Sequence, residues 1–94
     1  MKVQNMENSN GNIVKNQFII TDANARKKTF QSYDSQILDY YENNNNLVVY
    51  PEWDYSKTTM RYVKQFINEE TCYTYEDKKQ FKKLITENDN IIVM

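Results

Sequence analysis

Trp53-Asp54-Tyr55-Ser56-Lys57-Thr58-Thr59-Met60-Arg61-Tyr62-Val63-Lys64-Gln65-Phe66-Ile67 is where the character of this sequence changes. Thr59, Tyr62, Val63, Phe66 and Ile67 recur at the three- and four-residue spacing of one helix face. Asp54 or Ser56 is placed to accept hydrogen bonds from the free amides of the first turn. Lys57, Arg61 and Lys64 fall together on the wetter side. The stretch holds the only tryptophan and follows the only proline, Pro51. Trp53, just ahead of the helix, is read as a wedge between helix and sheet. Left exposed, it would instead be a binding anchor.

Upstream of this stretch the period is two. Residues 3–7, 13–21, 26–33, 35–42 and 47–50 read as strands, rich in β-branched and aromatic side chains. Asn10-Gly11 predicts a tight hairpin turn, because both central positions want positive φ. Asp22–Ala25 and Asn43–Asn46 read as further turns, the asparagines tolerating left-handed backbone. Residues 35–42 fit two periods. Ile37, Leu38 and Tyr41 share a helical face, yet Ile37, Asp39 and Tyr41 also alternate with Leu38 and Tyr40. We read the segment as strand.

Downstream, Thr74-Tyr75-Glu76-Asp77 resembles a loose capping box and opens a second helix over 75–86. Phe81, Leu84 and Ile85 form its apolar face, and Lys78, Lys79, Lys82 and Lys83 the other. Ile91–Val93 reads as a returning edge strand. Strands first and helices later predict an α+β fold. The expectation is one domain over residues 1–94, with an antiparallel sheet of about five strands. Two C-terminal helices, near 56–68 and 75–86, pack on one face.

Composition narrows the function classes. Twelve basic and 13 acidic residues leave a net charge of −1, against a strongly basic nucleic-acid binder and against an acidic DNA mimic. There is no histidine and a single cysteine, Cys72, which excludes an intrachain disulfide and a zinc site of the usual kind. No apolar run reaches the roughly 20 residues that span a bilayer. The opening M-K-V-Q-N-M-E-N has no signal-peptide core, and a cytoplasmic protein is expected.

Chemistry-bearing constellations are few. Cys72 has no histidine to activate it and lies beside Glu69 and Glu70. Glu52 and Asp54 flank Trp53 without forming a defined acid–base or metal motif. No phosphate-binding or dinucleotide-binding glycine pattern occurs. A non-enzymatic protein without cofactor or metal is the expectation. Eight tyrosines favour half-buried sheets and interfaces. Candidate partner contacts are Trp53, Tyr55, Arg61, Tyr40 and Tyr41. The lysine face of the second helix, Lys78, Lys79, Lys82 and Lys83, helped by Arg61 and Lys64, offers a second reading, a phosphate-tracking surface.

Asn8–Gly11 (N-S-N-G), Lys15–Ile20 (K-N-Q-F-I-I), Phe30–Ser35 (F-Q-S-Y-D-S) and Trp53–Thr59 (W-D-Y-S-K-T-T), with Tyr62 and Phe66, together resemble a family of short uncharacterised proteins. That family is carried by phages and mobile elements of low-GC Gram-positive bacteria. The likeness spans roughly residues 8–67. The sequence departs from it at Asn43–Asn46, where a glycine-containing turn is usual, and in the tail from Glu70. The resemblance implies a phage setting and the cytoplasm of the host cell. Small non-enzymatic proteins of that setting bind host proteins, and a CRISPR effector or another defence complex is the partner implied. The alternative is a nucleic-acid-binding accessory of phage replication or transcription.

Overall fold

The computed structural model describes residues 1–94. Its strands are β1 (Lys2–Glu7), β2 (Ile13–Asp22), β3 (Lys27–Ser32), β4 (Ser35–Tyr41), β5 (Asn46–Val49) and β6 (Ile91–Val93). Helices α1 (Lys57–Glu70) and α2 (Lys78–Glu87) lie between β5 and β6, and a 3-10 turn, Pro51–Asp54, precedes α1. The six strands form one sheet in chain order. This is the expected α+β fold, and its sixth strand is the returning edge strand expected at Ile91–Val93. The one correction is that this strand makes the sheet not wholly antiparallel. β6 runs parallel to β5, Leu47 beside Ile91 and Val49 beside Val93. Parallel neighbours need a long crossover, and the two helices between β5 and β6 supply it.

One row of side chains crosses the sheet under the helices. Register places Ile19 beside Phe30, Phe30 beside Leu38, and Leu38 beside Val49. Phe30, Leu38, Leu47 and Val49 are completely buried, as are Val63, Phe66 and Ile67 of α1. Phe66 stacks on Phe30 with ring centroids 5.9 Å apart. The apolar stripe of α1 therefore faces the sheet as its spacing predicts. A β-bulge between Phe30 and Gln31 leaves Ile37 as an extra residue in β4. Ile37 and Leu38, adjacent in sequence, are both buried. That bulge is why residues 35–42 fit both a helical and a strand period.

Helix starts differ in how legible they are. Ser56 caps α1, its Oγ accepting from Thr59 N at 3.1 Å. The second helix begins at Lys78, three residues later than Thr74–Asp77 implies. Asp77 is the cap, accepting from Gln80 N at 2.8 Å, while Gln80 Oε1 reaches back to Glu76 N at 2.8 Å. Tyr73 and Tyr75 are instead buried in the linker. Asn68 pins that linker, its amide group bonding both the N–H and the carbonyl of Tyr75.

The β1–β2 connection spans Asn8–Asn12 rather than the two central residues of a tight turn. Asn8 Oδ1 accepts from both Asn10 N and Asn12 N, and Gly11 takes φ +79°. Asn45 alone of the four consecutive asparagines is left-handed, at φ 59°.

Tyr33, between β3 and β4, has φ 55°. Left-handed backbone costs a residue with a Cβ roughly 1–2 kcal/mol. Tyr33→Gly is expected to stabilise the fold by about 1 kcal/mol, read as a higher urea midpoint with an unchanged slope. Buried Gln17 (1% exposed), beside Ser32 in the register, has no protein partner for either amide atom. Gln17→Met is likewise expected to gain about 1 kcal/mol, since an unsatisfied buried polar group is itself destabilising. A lower midpoint in either variant would contradict the corresponding account.

Candidate functional site

The 3-10 turn places Trp53 over the start of α2. Its ring meets Phe81 edge-on at 4.8 Å, and Phe81 lies against Tyr75 at 4.6 Å. Phe81 is completely buried and Tyr75 nearly so, whereas Trp53 is half-buried. The tryptophan thus packs against the core from its edge and covers the start of α2, half-buried where the sequence reading expects a wedge between helix and sheet. Pro51 opens a single 3-10 turn that carries Trp53, and the docking of α2 brings Phe81 to its ring.

A shallow groove of about 180 Å³ runs along this aromatic cluster, between α1 and the start of α2. Met60 contributes apolar lining, Arg61, Lys64 and Lys78 supply cations, and Glu76 and Asp77 supply carboxylates. Lys78 Nζ stands 5.6 Å from the centre of the Trp53 ring, within cation–π range. Lys64 Nζ is 3.6 Å from Glu76 Oε2, an exposed pair contributing little to stability. Burial raises the Tyr75 hydroxyl pKa above the ordinary tyrosine value. A half-covered tryptophan with three cations and two carboxylates around it can receive an apolar side chain with charged neighbours.

The expected partner contacts are only partly brought together. Trp53 and Arg61 line this groove. Tyr55 is 80% exposed and belongs to a different groove, beside the β3–β4 turn. Tyr40 is not available as a contact, which corrects the sequence reading. It is 5% exposed, donates to Asn45 Oδ1 at 2.7 Å and packs edge-on against Tyr73 at 6.5 Å. Burial, with Cys72 adjacent, pushes its pKa up to about 12. Burial also raises that of Tyr73, whose hydroxyl donates to Asn45 O. Tyr41 points to the opposite sheet face, with Lys27 Nζ 6.0 Å from its ring centre.

The lysine face of α2 divides in the same way. Lys78 joins the tryptophan groove, whereas Lys79, Lys82 and Lys83 are exposed, Lys83 within 4.0 Å of Glu87. Tyr75 and Phe81 are essential parts of the site that the sequence reading treats only as helix residues. The spacing of Trp53, Tyr75 and Phe81 follows no local period, and only the fold brings them together.

No helix is long and apolar enough to cross a membrane. No curated protein and no solved structure matches the chain. A family model does match residues 1–86, nearly the whole chain, and the protein therefore belongs to the family of unknown function DUF8033.

Proposed function

We propose that the protein acts without catalysis, by docking on another protein through the Trp53 groove. The observation that supports this is the half-buried Trp53, set edge-on against Phe81 and surrounded by Arg61, Lys64 and Lys78. Tryptophan, tyrosine and arginine around a partly desolvated centre is the composition of binding hot spots. The phage-type resemblance points to a host defence complex as the partner, with a CRISPR effector the foremost candidate and inhibition the outcome.

Expression in a CRISPR-active host is expected to raise the survival of a targeted plasmid. Arg61 is exposed and makes no ion pair, so Arg61→Glu should fold as the parent does. That variant is expected to lose protection and to bind the purified effector at least about 30-fold more weakly, the scale of a hot-spot loss. Unchanged plasmid survival, or an Arg61→Glu variant that protects fully, would defeat the proposal.

Nucleic-acid binding is the competing outcome. It would appear as affinity for DNA that falls steeply with salt and disappears when Lys78, Lys79, Lys82 and Lys83 become glutamine.

A further inference from the structure

Two segments that lie twenty residues apart in sequence, around Tyr33 and around Tyr55, face each other across a second groove. It lies between the β3–β4 turn and the N-terminus of α1, has a volume of about 620 Å³, and is larger than the tryptophan groove. We propose that it is a docking site for an arginine side chain on an extended segment of a partner protein.

Its rim is aromatic. Tyr33 is 56% exposed and Tyr55 80% exposed, and both line the groove. Large rings left this open have little role in the core, and a guanidinium stacks on such faces. The left-handed Tyr33 is held by its own N–H, which donates to Asn16 O at 2.7 Å, so the ring is presented from a fixed turn.

The charge is one-sided. Asp34 and Glu52 line the groove, and no lysine or arginine does. Neither carboxylate takes part in any of the ion pairs or side-chain hydrogen bonds of the protein. The start of α1 brings a partial positive charge of roughly half a unit, which two full carboxylates exceed. The charged groups of this groove are thus all acidic, whereas the Trp53 groove mixes Arg61, Lys64 and Lys78 with Glu76 and Asp77.

Part of the floor is closed to a sugar, the other ligand that tyrosines and carboxylates commonly hold. Three of its hydroxyls are committed to one another: Ser32 Oγ lies 3.3 Å from Thr59 Oγ1, and Ser56 Oγ donates to Thr59 Oγ1 at 3.1 Å. Ser56 also caps the helix. Buried Ile37 completes the floor. The groups that set its recognition are two rings and two anions, with the Ser35 and Thr58 hydroxyls beside them. They suit a planar cation on an aliphatic stem, which arginine is.

The test is a titration of the full chain, followed by amide chemical shifts, with the blocked tripeptide acetyl-Gly-Arg-Gly-amide and its citrulline counterpart. The arginine peptide is expected to shift the amides of residues 33–35 and 55–59. Citrulline, which keeps the shape and loses the charge, is expected to bind at least about tenfold more weakly, since charged hydrogen bonds exceed neutral ones by that order.

Asp34→Asn combined with Glu52→Gln should abolish the response while leaving the remaining spectrum unchanged, because both side chains are exposed and unbonded. Tyr33→Gly should weaken binding although it stabilises the fold. Arg61→Glu, which tests the other groove, should leave arginine binding intact.

Equal binding of both peptides, shifts confined to other residues, or no shift at millimolar peptide would overturn the proposal. Shifts of the same amides by chitobiose but not by the arginine peptide would replace it with a carbohydrate site.

Discussion

Phe66→Ala is expected to lower the unfolding free energy by about 3–5 kcal/mol. The side chain is completely buried, stacks on Phe30 at 5.9 Å and sits where α1 crosses the middle of the sheet. Its loss combines the transfer energy of an aromatic ring with an unfilled cavity, because Val63, Ile67 and Leu38 around it are held by regular backbone and cannot collapse inward. A domain of this size is stable by roughly 5–14 kcal/mol in all, so the change removes about a fifth of the total or more. Urea unfolding followed by circular dichroism would show a much lower midpoint. Phe66→Leu, which keeps most of the volume, should lose far less. If alanine and leucine behaved alike and lost under 1 kcal/mol, the packing of α1 on β3 described above would be wrong.

A second large effect is expected on the opposite face of the sheet, at Asp39. Its carboxylate is 2% exposed and has no cationic partner. Three donors converge on it instead: Thr29 Oγ1, Gln36 Nε2 at 2.6 Å and the Tyr50 hydroxyl at 2.7 Å. Hydrogen bonds to a charged acceptor contribute roughly 1.5–3 kcal/mol each, and stranding a buried donor adds a penalty of its own. Gln36 is exposed and can turn to water, whereas Thr29 is buried. Asp39→Ala is therefore expected to lose about 2–4 kcal/mol, less than the three bonds would sum to.

The same change has a spectroscopic signature. The hydrogen bond to Asp39, then burial, pushes the Tyr50 pKa from 10.0 up to about 12. A raised tyrosine pKa means that the fold favours the neutral phenol. The contribution is fully present below pH 10 and is lost as pH rises through about 12. In Asp39→Ala one tyrosine should move back toward its ordinary value in a titration of phenolate absorbance, under conditions where the variant is still folded. An unaltered titration would remove Asp39 as the cause of the shift.

Asp39 also marks the limit of what the sequence reveals. Alternation assigns it to one face of a strand, and a charged residue on such a face is ordinarily solvated. Its burial comes from Thr29, Gln36 and Tyr50, which arrive from β3, β4 and the end of β5. No spacing rule links those positions.

The class of fold and the packed stripe of α1 were decided by the sequence alone. A two-residue period before Pro51 and a 3.6-residue period after Ser56 are properties of neighbouring side chains, and each local segment agrees with the face it finally buries. The cap of α1 was legible to within two candidates, Asp54 and Ser56, since the oxygen and the amide it serves are three residues apart; the structure selects Ser56. Tertiary structure alone decided the rest. It turned Trp53 toward Phe81, buried Tyr40 under Tyr73 while leaving Tyr41 on the far face, and made β6 a parallel neighbour of β5. It also set Tyr33 opposite Tyr55 across one groove. Each of these depends on where a strand or helix lands after a long excursion. That position is set by the summed packing of the core, which no local pattern of residues encodes.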